Sequence, residues 1–266
     1  MGETIAVTAA EIAELLGLVA DVTGTAAGPA VPFAAPLLLF SRLDAGRRDA
    51  LFAPRPGRVL VQEQLAIEAS GRLVAGEPVE VCFRFGEPVS DVAPFRIEAD
   101  LVDAAGATVA ALRTSIRPIE ATQLAAATGL PMAASPDTVG RATTRPLGAD
   151  PVGRWLHLVG DVNPIHTDAD HARALGLDGP VLPGALFAAA AEVLADAGPD
   201  ATLVRLNMRF MAPIAVGATV ATRLRERPAE GATGRRDMRL FFLVGDRAAA
   251  VADLGFAATA ARPVSP

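Results

Sequence analysis

The chain has 266 residues, 51% of them hydrophobic, and a formal net charge of −6. That length suits one large domain or two ordinary ones, the apolar content excludes wholesale disorder, and the acidic balance argues against a broad nucleic-acid surface. With one cysteine, Cys82, no basic leader before the apolar start, and no uncharged run long enough to span a bilayer, a cytoplasmic protein is expected.

Thr8 followed by Glu11 has the form of a capping box, and the apolar spacing behind it predicts a short helix over residues 8–17, ended at Gly17. A Gly/Pro/Ala stretch leads to Pro36, and residues 36–52 give a weak helical pattern broken at Gly46. Four strand-like runs follow, Val59 to Ala69, Val79 to Phe85, Phe95 to Val102 and Thr108 to Ile116, separated by Gly- and Pro-containing hinges. Cys82 lies in the apolar run VEVCFRF, which predicts a packed thiol. From Pro118 to Asp150 the pattern dissolves and reads as a linker.

The second half repeats the order. Thr167 and Asp168 can start a short helix through Leu175, and Ala185 to Ala197 is apolar on nearly every side, as a buried helix is. Four more strand-like runs follow, Leu203 to Met211, Thr219 to Arg225, Arg239 to Val244 and Ala249 to Phe256. LVAGEPV (Leu73 to Val79) can be laid on IAVGATV (Ile214 to Val220), placing Gly76 on Gly217. Such self-similarity points to two copies of one unit, a helix packed on an antiparallel sheet.

All three histidines, His157, His166 and His171, lie in the second half. A pseudo-dimer of the two halves would therefore hold one histidine-bearing site. The densest chemistry is Gly160-Asp161-Val162-Asn163-Pro164-Ile165-His166. Its Gly, Asn and Pro are turn formers, so a loop can bend Asp161 and His166 toward one point, which a straight helix at a spacing of five residues would not. Histidine titrates near ~6.5 when unperturbed, and a carboxylate can orient it or share its water. Further on, Gly184 stands at the mouth of the apolar helix, where free N–H groups favour a developing oxyanion.

GDVNPIH, a short helix and a Gly-led apolar helix together resemble the signature of the MaoC-like (R)-specific enoyl-CoA hydratases and dehydratases. MAPIAVGATV (Met211 to Val220) resembles them too. The resemblance covers residues 152–260 well and residues 55–117 loosely. It implies an α+β double hot-dog fold, two units of a long helix wrapped by a curved antiparallel sheet. Residues 1–135 would be a degenerate, non-catalytic unit completing the acyl pocket, and residues 136–266 the catalytic one.

The resemblance further implies that Asp161 and His166 hold the reacting water, that Asn163 supports the loop and hydrogen-bonds near the site as a substrate-binding residue, and that the Gly184 N–H receives the thioester oxygen. Where the family often has His-Gly-Met, this chain has Pro183-Gly184-Ala185, which alters the pocket wall. The implied reaction is hydration of trans-2-enoyl thioesters or the reverse dehydration, on CoA or acyl carrier protein, with neither metal nor redox cofactor. A monomeric pseudo-dimer or a homodimer would suit it. The rival readings are a non-catalytic acyl-thioester-binding protein and a hot-dog thioesterase.

His157 and His171 read as packed or solvated side chains rather than reactive ones, and the histidine spacings do not suit a metal site. Arg223, Arg225, Arg227, Arg235, Arg236 and Arg239 alternate along strands, as a solvated sheet face does, although they could meet a phosphate.

Overall fold

Alternating apolar and charged residues along the strand-like runs build one antiparallel sheet with a wet face and a dry face. The computed structural model describes residues 3–25, 31–52, 57–86, 90, 92–133, 137–198, 200–227 and 235–258. The first half contributes β1 (Glu3–Ala6), α1 (Ala9–Thr23), a 3-10 helix (Ala35–Arg42), α2 (Ala45–Leu51), β2 (Arg58–Ala69), β3 (Pro78–Phe85), β4 (Phe95–Val102), β5 (Thr108–Glu120) and α3 (Ala121–Ala126). Then come β6 (Leu130–Pro131), β7 (Thr138–Thr143), α4 (Ala149–Val159), a 3-10 turn (Pro164–His166), α5 (Ala169–Ala174) and α6 (Gly184–Ala195). The chain finishes with β8 (Ala201–Phe210), β9 (Ala221–Arg227), β10 (Arg235–Val244) and β11 (Arg247–Ala258).

The sheet order is β1-β3-β4-β5-β2-β8-β11-β10-β9-β7, with β6 added beside β11. Exchanging β1 to β5 for β7 to β11 turns this order into itself read backwards. The chain is thus two hot-dog units joined edge to edge at β2 and β8, in register from Gln64 opposite Arg209 to Glu68 opposite Arg205. Gln64 Nε2 donates across that seam to Asn207 Oδ1 at 2.8 Å. The duplication reaches beyond the strands. Gly76 and Gly217 have φ of 81° and 84°, and their N–H groups bond Val7 O and Leu147 O, each at 2.8 Å. Val7 and Leu147 stand at the same place, two residues ahead of α1 and α4.

The dry face holds the helices. α6 buries Leu186, Phe187 and the run Ala188 to Ala191, and its alanines admit close packing against α1 and the strands of both units. α1 starts on the expected capping box: Thr8 Oγ1 accepts the Glu11 N–H at 3.2 Å, and Glu11 Oε2 accepts the Thr8 N–H at 2.8 Å, an arrangement worth about 1 kcal/mol. Glu192 of α6 ties the units together. It accepts the fork of Arg72 and the Phe33 N–H at 3.0 Å.

The wet face is a lattice of cross-strand ion pairs, including Arg84 with Glu98 and Asp100, and Arg239 with Asp253 at 2.6 Å. Burial pushes the Asp253 carboxyl up, but the Arg239 hydrogen bonds and the charges of Arg239, Arg227 and Arg209 outweigh it, so Asp253 sits below the ordinary 3.8. Arg225 lies over the Phe241 ring at 5.0 Å, and Arg236 pairs with Glu226 at 2.9 Å. The arginine-rich strands therefore form the solvated face their alternation suggests.

Four local expectations change. α1 runs through Gly17 to Thr23, because the stripe Leu15, Leu18, Val19 and Val22 continues inward and outweighs the roughly 1 kcal/mol cost of one helical glycine. In residues 36–52 the break falls at Leu43 and Asp44, while Gly46 lies inside α2. The stretch read as a linker holds α3, β6, β7 and the start of α4, and β6 already pairs with β11. Cys82 is half-buried on the wet face opposite Asp100, since the period of two turns Val81 inward instead. No helix among the described residues is long and apolar enough to cross a membrane.

Candidate active site

α4 buries Val152, Trp155, Leu156 and Val159 and must stop where the chain turns into the loop. It stops at Gly160, in the left-handed conformation with φ 69°, and the Asp161 N–H bonds back to Leu156 O at 2.9 Å. A Cβ on Gly160 would lie 2.9 Å from Ser41 Cα, so this turn is pressed against the 3-10 helix of the first unit. Glycine is needed there twice over, for its φ and for that contact.

Within the loop, each side chain has one local duty and one outward face. Asp161 Oδ1 accepts the Asn163 N–H at 2.9 Å. Asn163 Oδ1 in turn accepts the Ile165 N–H at 3.2 Å, starting the 3-10 turn that carries His166. Asn163 thus caps the turn that carries His166. Ile165 is buried among Val59, Leu124 and Val181, so β2 and α3 of the first unit grip the loop from below.

The remaining Asp161 oxygen, Oδ2, faces His166 Nε2 at 3.7 Å, with the side chains 35% and 12% exposed. His166 Nδ1 lies 2.7 Å from Val181 O. A carbonyl can only accept, so Nδ1 carries a proton, and whenever the ring is neutral Nε2 presents a lone pair to Asp161. Asp161 Oδ2 and His166 Nε2 are therefore brought together facing one space, as two acceptors in the neutral form of the ring.

Val181 also connects the pair to Gly184. Its N–H bonds Ile165 O at 3.1 Å, and the next residue, Leu182, bonds Ile214 O at 2.7 Å. Two residues later Gly184 opens α6, and its N–H has no partner among the described residues. A Cβ at Gly184 would lie 2.6 Å from the Phe210 ring. His157 and His171 are exposed, and no group of three or more His, Cys, Asp or Glu among the described residues could hold a metal ion.

The MaoC-like domain family matches residues 133–239, which contain the loop, α5, α6 and Gly184. The chain carries a MaoC-like domain. No curated protein gives a significant match. A solved MaoC-like dehydratase superposes with a TM-score of 0.70 at 17% identity, over 98% of this chain and 97% of its own. HtdX from Mycobacterium tuberculosis gives a TM-score of 0.66 at 20% identity, over 95% and 97%. A protein described as an oleoyl thioesterase from Lactobacillus plantarum gives 0.61 at 14%, over 97% and 96%. These likenesses establish the double hot-dog fold across both units.

Three features of this candidate site are invisible to motif reading. The Val181 carbonyl works through backbone, so no side chain announces it. Ser41 and Arg48 reach the loop from more than a hundred residues away in the chain. Arg48 Nη1 lies 3.4 Å from the position of a Gly160 Cβ.

Proposed function

We propose that the protein adds water to trans-2-enoyl thioesters, giving (R)-3-hydroxyacyl thioesters, and catalyses the reverse dehydration. The carriers would be CoA or acyl carrier protein, in fatty-acid or polyketide-type metabolism in the cytoplasm. The observation that carries this reading is the pair of acceptors, Asp161 Oδ2 and His166 Nε2, 3.7 Å apart. Two acceptors repel unless a proton lies between them, and a water molecule satisfies both by donating one O–H to each. Its oxygen lone pairs then point away from the pair, toward whatever enters the site.

In hydration that oxygen bonds to C3 while the C2–C3 π electrons move toward the thioester carbonyl. The Gly184 N–H, at a helix start that favours negative charge, receives the enolate oxygen. The pair takes the water's proton and returns it to C2, so both additions occur on one face. A positioned acid–base group of this kind contributes about 10²–10⁴ in rate. Residues 136–266 would supply every reacting group. Residues 1–135, whose last strand joins the other unit's sheet, would hold the loop and complete the acyl pocket. One chain would then be a pseudo-dimer with a single centre.

The test is to mix the purified protein with short, medium and branched trans-2-enoyl-CoA and follow the conjugated enoyl absorbance together with free thiol. Loss of absorbance without thiol is expected, with kcat reduced about 10²–10⁴-fold in Asp161→Asn and His166→Ala. Unchanged rates in both variants would remove the site assignment. Thiol release would redirect the reading to a thioesterase, and binding without either change to a carrier of acyl thioesters.

A further inference from the structure

Among the described residues, Arg48 is a cation beside the reactive loop whose one counterpart, Asp49, is distant and exposed. It sits on α2, which is held on the sheet by Leu51 and by Phe52, edge-on to Phe95 at 6.4 Å. Its guanidinium makes no hydrogen bond among the described residues, and its Nε is shut off from solvent with no partner. Among the described residues the only carboxylate within ion-pair range is Asp49, at 3.9 Å and itself 72% exposed, while Arg48 is 23% exposed. Asp161 is not within that range, and the Ser41 hydroxyl is already committed to Leu38 O at 2.6 Å.

Two arginines of the first unit with similar exposure are matched, Arg72 by Glu192 and Arg58 by Glu120. A shielded Nε with no partner costs free energy, so a missing acceptor is the economical explanation. A guanidinium fork selects carboxylate or phosphate. Position decides between them. Arg48 adjoins Gly160, the residue before Asp161, whereas the phosphates of CoA or a carrier arm are held away from the thioester by the whole pantetheine chain.

We infer that Arg48 anchors a carboxylate on the acyl chain of the substrate. The protein would then act on enoyl thioesters of unsaturated dicarboxylic acids, with the first unit setting specificity. This rests on the hydratase reading of the same site.

The experiment compares fumaryl-CoA with crotonyl-CoA, which differ in a terminal carboxylate against a methyl. The wild-type kcat/KM should favour fumaryl-CoA by roughly tenfold or more, and Arg48→Met should lower that ratio about 100-fold. Arg48→Lys keeps charge without the fork and should lower it roughly fivefold, which covers the case where methionine unsettles α2. A wild-type preference for crotonyl-CoA, or a ratio untouched by both variants, overturns the anchor while leaving hydration standing. Binding of the unreactive succinyl-CoA and butyryl-CoA, measured by calorimetry, separates the two ideas. If no enoyl thioester reacts, the hydratase reading falls. Tighter succinyl-CoA binding that disappears in Arg48→Met would still support the anchor, and equal binding would end it.

Discussion

Each unit ends its leading helix on a left-handed glycine, Gly24 after α1 and Gly160 after α4, with φ of 73° and 69°. Each glycine is overlapped by the opposite unit, Gly24 by the Arg145 side chain and Gly160 by the Ser41 backbone. Beyond the glycines the units part company. One and six residues after Gly160 come Asp161 and His166, whereas at the same spacing after Gly24 stand Thr25 and Ala30. The second unit then makes room for α5 and the buried α6, where the first has its 3-10 helix and α2. The duplicated frame therefore provides a left-handed glycine in each unit, and only the second is followed by an acid and a histidine at this spacing.

The largest effect should come from swapping chemistry at equivalent places. Asp161→Asn should cost about 10²–10⁴ in kcat on an enoyl thioester, while Thr25→Ala should stay within about twofold. Comparable losses in both would mean that the units share the work. Next come the two glycines. Gly160→Ala meets both a positive φ and the fixed Ser41 backbone, and should destabilise by about 2–3 kcal/mol in urea unfolding, with activity falling alongside. Gly24→Ala meets a guanidinium that can swing aside, and should cost about 1 kcal/mol. Equal costs would show that the loop is not pressed against Ser41.

Smaller effects probe how the units hold each other. Glu192→Gln weakens the Arg72 fork at a part-buried junction and should cost about 1–2 kcal/mol, seen as a lowered melting temperature at neutral pH. Smallest is Asp253→Asn on the wet face, about 1 kcal/mol after allowing for solvent screening. The Asp253 carboxyl is held below its ordinary 3.8. Its contribution is therefore complete above that value and fades as pH falls through the lower folded-state value. The gap between wild type and Asp253→Asn should be constant near neutrality and close below about pH 4. A gap that widens in acid would contradict the assigned pairing.

Strands were legible where one face is dry. The sequence places β4 at Phe95–Val102, as found, because Phe95, Ile97, Ala99 and Leu101 alternate inward. β7 escaped because none of its six residues is buried, so nothing alternates. α4 was readable in principle: Val152, Trp155, Leu156 and Val159 fall at the i, i+3, i+4 and i+7 positions of one helix face. The loop's own architecture was legible because Asp161 and Asn163 work on neighbours two residues away. Partners that depend on tertiary closure, such as Arg48 beside Gly160 or Val59 beneath Ile165, leave no local pattern to read.

The ladder between β2 and β8 has a consequence for how this molecule can be altered. In a homodimer built on the same frame, any substitution appears on both sides of the axis, and a residue that suits one side must be tolerated by the other. Here the two sides are written separately and are joined by the chain at high effective concentration. Ser41 can be shaped to seat a turn, and Arg48 to lie beside Gly160, without a second serine or arginine appearing across the seam. Asymmetry of this kind lets one cleft be wider, or more charged, than any self-paired version of the same unit could make it.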